Sequence, residues 1–230
     1  MNSASDLQKA LKAITDTFPI AAENESPTAA SVFTPRSHIR ALRPQTLLVI
    51  GARGVGKTFW TQALYQEDIR KVLQQDIPEL ANLRVSIGYT NRANPDAYPS
   101  SNQFSSLIKK YDPADVWRAV LLRTVAAQKE VASQYPFILN SWECTVTYVS
   151  KNPEAVDRLL YEANKNLSTA GTHLLILFDA LDRVAESWDD IDKLTAALLR
   201  TILQLSTYSH NKGQNFLERR SLSPPLYYLS

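Results

Sequence analysis

Residues 51–58, with the sequence GARGVGKT, have the composition and spacing of a phosphate-binding loop. Gly51, Gly56, Lys57 and Thr58 fit the pattern G-x-x-x-x-G-K-[ST]. Glycines let backbone N–H groups curl around a phosphate without Cβ clashes, the lysine brings a cation to the outer phosphates, and the threonine hydroxyl can ligate Mg²⁺. The chain has six glycines in all, and three of them lie in these eight residues. The segment therefore predicts a loop that binds the phosphates of a nucleotide.

A second group of chemically useful residues lies far downstream, in LLILFDALDR at 174–183. The apolar run at its start predicts a buried strand, and Asp179 follows that strand directly. A carboxylate at a strand end is a suitable ligand for the Mg²⁺ that accompanies a nucleotide. Because the phosphate loop precedes it in the same chain, we expect Asp179 to be that metal ligand. Asp182 and Arg183 follow, with Ala180 in between.

The rest of the chain supplies alternating strand-like and helix-like patterns to position these residues. An apolar run precedes the loop and an amphipathic pattern follows it, as a loop that opens a helix requires. Such alternation predicts an α/β domain with a mainly parallel sheet. Predicted strands cover 46–50, 83–90, 174–178 and, on weaker patterns, 137–140 and 144–149. Predicted helices cover 5–18, 59–75, 112–134, 152–171 and 188–206.

These two motifs together resemble those of the P-loop NTPases, in which GARGVGKT would be the Walker A loop and LLILFD the Walker B strand. The resemblance implies a three-layer α/β/α fold and the cofactors ATP and Mg²⁺. Ala52 stands where one branch of the family has an additional lysine, and no LSGGQ segment is present. The absence of an N-K-x-D motif favours ATP over GTP, since NKGQ at 211–214 fits it poorly. The nucleotide-binding residues implied are Gly51, Ala52, Arg53, Gly54, Val55, Gly56, Lys57, Thr58 and Phe59.

The segment FDALDR is also similar to the D-D-L-D-R of KAP and some STAND-type ATPases, which belong to the ASCE division. That resemblance implies catalytic roles for Lys57, Asp179 and Asp182, and metal binding by Thr58 and Asp179. ASCE enzymes usually place a water-polarising glutamate where this chain has Ala180. Asp182 is then a candidate for the general base, or for a carboxylate that contacts the metal ligands without binding the metal itself. It is equally interpretable as a helix N-cap or a solvated loop residue.

The domain organisation expected is an N-terminal helix and linker over 1–45, a P-loop NTPase core over 46–206 and an irregular tail over 207–230. In an ASCE core, a further strand follows the Walker B unit and lies between the Walker B strand and the phosphate-loop strand. QNFLER at 214–219 is a candidate for it, but the residues after it do not predict a helix and another strand. We therefore expect a truncated or frame-disrupted form of a longer ATPase, with a fold that is C-terminally incomplete.

Composition narrows the classes of partner. The 25 basic and 23 acidic residues nearly balance, without a dense basic run, which gives no signal for nucleic acid. The N-terminus does not have the pattern of a secretion signal, and no apolar run approaches the ~20 residues of a membrane span. The single cysteine, Cys144, is interpreted as a small apolar filler in a reducing compartment. We expect a cytoplasmic protein whose partners are a nucleotide and either another protein or further copies of itself.

The function that the sequence predicts is an ATP-binding switch that hydrolyses ATP with Mg²⁺. Bacterial relatives of KAP and STAND type often act in defence against phage, so the resemblance also implies antiviral defence. Two alternatives stay open. One is a nucleotide-binding interaction module or ATPase relic without turnover, favoured by Ala180 and the short C-terminus. The other is a small-molecule kinase, disfavoured by the long gap between the motifs and by the absence of an arginine-rich lid.

Overall fold

A computed structural model describes residues 26–30, 32–52, 54–129, 131, 141–208 and 226–229. These residues form a mixed α/β structure that is mostly helical, around a short parallel sheet. The α-helices are α1 (Arg36–Leu42), α2 (Lys57–Tyr65), α3 (Glu67–Leu73), α4 (Ser101–Leu107), α5 (Pro113–Ala126), α6 (Trp142–Lys151), α7 (Pro153–Thr169) and α8 (Trp188–Tyr208). The strands are β1 (Leu83–Tyr89), β2 (His173–Phe178) and β3 (Leu226–Leu229), and the 3-10 turns are Pro78–Leu80 and Leu181–Arg183.

The strand order in the sheet is β1-β2-β3, with both pairs parallel. β2, which carries the apolar run before Asp179, is therefore the central strand. Parallel strands need crossover connections, and the helices α4 to α7 lie between β1 and β2 in the chain. The α/β class predicted from the alternating pattern is confirmed.

Helices cover both faces of the sheet, as side-chain alternation along β2 shows. Leu175 and Leu177 belong to a core cluster that includes Trp60 and Leu64 of α2. Their neighbours along the strand, Leu174, Ile176 and Phe178, belong to the second, larger cluster with α5 and α8. Because β2 is buried on both faces, it has the continuous apolar sequence typical of an interior parallel strand.

A bulge near the end of β1 changes the face on which the last residue lies. Leu83 and Val85 face the α2 cluster, and simple alternation predicts the same for Tyr89. The register with β2 shifts between Ile87 and Tyr89, and Tyr89 joins the opposite cluster. Gly88 occupies the irregular position, where a Cβ atom would lie 2.4 Å from Cε1 of Phe178. Tyr89 therefore departs from the simple alternation of the strand.

Within the described residues, the strand predicted at 46–50 is reduced to one bridging residue. Only Leu48 makes a single bridge, and the side chain of Ile50 is 84% exposed. A strand needs a partner for its backbone along most of its length. Here the apolar run is held instead through Val49, which packs against the α2 cluster.

One of the strands predicted on weaker patterns has a different form in the structure. Residues 144–149 lie in helix α6, not in a strand. Ser141 accepts a hydrogen bond from the Cys144 N–H, and Trp142, Thr145 and Val149 are buried on one side of the helix. The β-branched residues favour a strand only weakly, and burial of this helical stripe overrides that preference. Cys144 is exposed, so its interpretation as an apolar filler was also wrong.

The ends of the domain differ from prediction as well. The linker expected up to residue 45 contains helix α1, whose Leu42 is 1% exposed in the α2 cluster. The helix expected over 59–75 is two helices, because the extended backbone of Gln66 ends α2 before α3 begins. In the tail that was expected to be irregular, 226–229 form β3. The predicted helix at 5–18, the predicted strand at 137–140 and the QNFLER segment lie outside the described residues.

Among the helices described, none has the length and apolar character needed to cross a membrane.

Candidate functional site

The phosphate loop leads directly into helix α2, as its sequence predicts. Gly54 and Gly56 have φ values of +86° and +85°, in the left-handed region that favours glycine. Gly56 is the N-cap of α2, so Lys57 and Thr58 are its first two residues. The first turn closes through a hydrogen bond of 3.1 Å from the Trp60 N–H to the Gly56 carbonyl. The loop therefore presents the amino-terminal end of a helix, where N–H groups and the helix dipole favour an anion.

The side chain of Lys57 folds back over this loop. Its ammonium group donates hydrogen bonds to the carbonyls of Gly51, at 2.8 Å, and Ala52, at 3.2 Å. One cation thus joins the start of the loop to the start of the helix. Arg53 lies outside the described residues, whereas Thr58 and Val55 are exposed.

The helix that follows is firmly packed. Trp60 is 7% exposed and donates its indole N–H to Nδ1 of His38, at 3.1 Å. The ring of Phe59 packs edge to face against that of Trp60 and is half-buried. The Phe59 side chain, predicted among the nucleotide-binding residues, thus takes part in the packing of α2. At the other end of the helix, the buried Arg70 donates to the carbonyls of Leu64 and Tyr65, at 2.7 and 2.9 Å.

Asp179 follows the last residue of β2, as predicted, and is buried, with 3% of its surface exposed. Its N–H donates to the carbonyl of Tyr89, at 2.9 Å, which extends the β1–β2 ladder by one bond. Its Oδ1 accepts a hydrogen bond from the Ala180 N–H, also at 2.9 Å. Alternation along the strand places residue 179 on the face of Leu175 and Leu177, and that face is the one covered by α2. The two motifs therefore belong to the same side of the sheet.

The chain turns sharply after Asp179. Ala180 adopts φ 57° and ψ 42°, a left-handed conformation uncommon for a residue with a Cβ atom. It is the N-cap of the 3-10 turn Leu181–Arg183, which places Asp182 in the middle of that turn. Asp182 is exposed, so of its two simple interpretations the N-cap was wrong and the solvated residue is confirmed. The three-residue spacing of the carboxylates thus separates a buried one from an exposed one.

Tyr89 contacts this acidic turn twice, and sequence reasoning missed it. Its carbonyl accepts the Asp179 N–H, and its hydroxyl donates to the carbonyl of Arg183, at 2.9 Å. Burial, followed by the neighbouring Tyr98 and Asp182, raises the pKa of Tyr89 to about 12. The only sequence signal was a tyrosine at the end of the strand that pairs with the Asp179 strand.

The donor atoms at these positions suit Mg²⁺. The Thr58 hydroxyl and the Asp179 carboxylate are hard oxygen ligands, and Mg²⁺ is usually held by one or two carboxylates together with substrate phosphates. In the part of the chain that the structure describes, no three His, Cys, Asp or Glu side chains group as a self-contained metal site. The residues present therefore fit a metal that is bound together with a nucleotide.

A shallow cavity of about 510 Å³ lies elsewhere, beside α6. Its lining includes Tyr111, Glu143, Cys144 and Lys151 and none of the predicted site residues. Lys110 pairs with Glu143 at its edge, at 2.9 Å. Because its lining shares no residue with either motif, it is separate from the chemistry that the sequence predicts.

Comparison with known proteins gives no match: no protein-family model, curated protein or solved structure is significantly similar to this chain.

Proposed function

We propose that this chain binds ATP together with Mg²⁺ and hydrolyses it, and that it acts as a nucleotide-dependent switch. The observation that carries the proposal is the loop at 51–56. Its two left-handed glycines lead into the first turn of α2, and the ammonium of Lys57 lies against the carbonyls of Gly51 and Ala52. A flexible cation over a glycine-rich helix start is the arrangement that binds phosphate groups.

We assign the individual roles as the resemblance to P-loop ATPases implies them. The loop N–H groups and Lys57 bind the phosphates, while Thr58 and Asp179 hold Mg²⁺, which supplies charge neutralisation at the phosphate oxygens. Asp182 orients the attacking water and accepts its proton as the bond from water oxygen to the terminal phosphorus forms and the bond to the ADP oxygen breaks. The burial of Asp179 and the exposure of Asp182 suit this division, because a metal ligand needs a fixed position and a base needs contact with water.

The order of the sheet supports the ASCE division. β3 pairs with the edge of β2 opposite β1, where a strand that follows the Walker B unit is expected in that division. Residues 46–50 give less support, since the phosphate-loop strand should flank β3 and, in the part of the chain that the structure describes, only Leu48 forms a bridge. The preference for ATP rests on the absence of a guanine-specificity motif.

The second candidate function is nucleotide binding without turnover. Ala180 supplies no carboxylate at the position next to Asp179, and the nearest alternative, Asp182, lies in an exposed turn. A chain with this turn could bind ATP and present the bound state to a protein partner or to another copy of itself.

One pair of measurements separates the two functions. Binding of a fluorescent ATP analogue is titrated with and without Mg²⁺, and phosphate release is followed in a coupled assay. We expect the wild-type chain to bind the nucleotide and release phosphate. Lys57→Ala should lose nucleotide binding, and Asp179→Ala should lose the Mg²⁺-dependent part of binding and phosphate release. Lys71→Ala removes an equal charge from the exposed face of α3 and should behave as wild type. Binding without release selects the second function, and release retained by both site variants contradicts the site assignment.

Because FDALDR is similar to the motif of KAP and STAND-type ATPases, we also propose that the chain acts in antiviral defence. Phage should form fewer plaques on cells that express the wild-type chain than on cells that express the Lys57→Ala variant. Equal plaque counts, with both proteins present in equal amounts, would contradict that role.

A further inference from the structure

The acidic turn that follows β2 is fixed at both ends by one residue of the neighbouring strand. The carbonyl of Tyr89 accepts the Asp179 N–H where the turn begins, and its hydroxyl donates to the Arg183 carbonyl where the turn ends, each at 2.9 Å. Between these points the turn has two internal bonds, from the Ala180 N–H to Oδ1 of Asp179, at 2.9 Å, and from the Arg183 N–H to the Ala180 carbonyl, at 3.0 Å. The position of Asp182 therefore depends on a short segment that Tyr89 spans.

The Tyr89 ring is held rigidly enough to act in this way. It is 3% exposed and packs edge to face against Tyr98, Phe104 and Trp117, with centroid distances of 5.3, 5.6 and 6.5 Å. Trp117 is itself anchored to α8 by a hydrogen bond of 2.8 Å from its indole N–H to the Leu194 carbonyl. A ring enclosed in this way has little rotational freedom, so its hydroxyl points in one direction.

The bulge at Gly88 accounts for the direction of this ring. Without the register shift, Tyr89 would follow Val85 onto the α2 side of the sheet, away from the aromatic cluster. Bulges recur next to functional sites, where they redirect a side chain. Gly88 permits the shift because a side chain there would collide with Phe178.

We propose that Tyr89 is a positioning residue for Asp182, and that its hydroxyl sets the rate of ATP hydrolysis without contributing to ATP binding. This role rests on the proposed function. Nucleotide binding uses the loop and Lys57, and Tyr89 makes no described hydrogen bond to either. The placement of a base, in contrast, changes only the rate of the chemical step.

The test removes one hydroxyl from either of two neighbouring rings. Tyr89→Phe keeps the ring and the carbonyl that accepts the Asp179 N–H, and loses only the bond to Arg183. Tyr98→Phe is the matched control, because Tyr98 is 4% exposed, belongs to the same cluster and donates its hydroxyl proton to the Arg92 carbonyl at 2.7 Å, outside the turn. We expect kcat to fall about ten-fold in Tyr89→Phe with KM within two-fold of wild type, as for a misplaced base, and to stay unchanged in the control.

A second readout needs no nucleotide. Hydrogen exchange of the free chain should be about five-fold faster at the backbone amides of residues 181–184 in Tyr89→Phe, the effect of one lost hydrogen bond. A third combines Tyr89→Phe with Asp182→Asn. If the hydroxyl acts through Asp182, the double variant should hydrolyse ATP no more slowly than Asp182→Asn alone.

The outcomes distinguish a failure of the positioning role of Tyr89 from a failure of the proposed ATP binding and hydrolysis. Unchanged kcat or unchanged exchange in Tyr89→Phe, an equal loss in Tyr98→Phe, or multiplicative losses with Asp182→Asn would each overturn the role of Tyr89. A wild-type chain that binds ATP and releases no phosphate would overturn the hydrolysis itself. A wild-type chain that does not bind ATP would overturn the proposed function as a whole.

Discussion

Replacing Ala180 by glycine should stabilise the protein, although a glycine substitution usually destabilises one. Ala180 has φ 57° and ψ 42°, and its N–H is bonded to Oδ1 of Asp179. The substitution removes only the Cβ atom and leaves the backbone N–H in place. The hydrogen bond from residue 180 to Oδ1 of Asp179 should persist, and so should the 3-10 turn that begins after it.

The expected size follows from two opposing effects. A left-handed conformation costs a residue with a Cβ atom about 1–2 kcal/mol, and that cost disappears with glycine. Glycine in turn loses more conformational freedom on folding, which costs about 0.5–1 kcal/mol. The net gain in the free energy of unfolding should therefore be about 0.5–1 kcal/mol.

Urea unfolding monitored by tryptophan fluorescence measures this change, with the m-value required to stay constant. Ala196 provides the control, because it is an exposed alanine in the interior of α8. Ala196→Gly should lower the free energy of unfolding by about 1 kcal/mol. The same substitution is thus expected to have opposite signs at the two positions. A loss at Ala180 equal to the loss at Ala196 would show that Ala180 does not adopt the left-handed conformation in solution.

Three further predictions concern the elements around the site, and urea unfolding measures each. Gly88→Ala should lower the free energy of unfolding by about 1–3 kcal/mol, because the new Cβ would lie 2.4 Å from the Phe178 ring; a neutral result would contradict the bulge. Arg70→Met should cost about 1–3 kcal/mol, since two helix-end carbonyls lose their donor, whereas Lys71→Met on the exposed surface should change stability far less; equal effects would refute the capping role. The raised pKa of Tyr89, about 12, means that the folded state holds its proton more tightly, so stability present below pH 10 should decline as pH rises from 10 towards 12. That decline should be smaller in Tyr89→Phe, and an identical decline in both proteins would assign it to other groups.

The parts of the structure that local chemistry determines could be predicted from the sequence. The glycines of the loop require left-handed backbone, and the helix after them begins at Lys57 as the motif demands. Asp112 caps α5 through the Ala114 N–H, as an aspartate before a proline-initiated helix suggests. The continuous apolar run of β2 predicts a strand buried on both faces, and Asp179 follows its last residue directly.

The parts that depend on distant neighbours could not be predicted. Residues 46–50 have the composition of a strand, but only Leu48 forms a bridge in the described ranges, and composition cannot reveal whether a partner strand is in reach. Helix α6 has a strand-like sequence that becomes helical where its stripe of buried residues meets α5. The register shift at Gly88 depends on a phenylalanine from another strand, far along the chain.

The spacing of the two carboxylates follows from the conformation of a single residue. The ladder with β1 continues through the Asp179 N–H, so Asp179 is still held as part of the sheet. At Ala180 the backbone turns left-handed and the chain leaves the sheet, so a side chain at position 180 would not continue the strand as a regular extended residue does. The next carboxylate available to solvent is Asp182, inside a one-turn 3-10 segment whose far end is tied to Tyr89. Tyr89, on the strand that pairs with β2, thus holds both ends of the turn that carries Asp182.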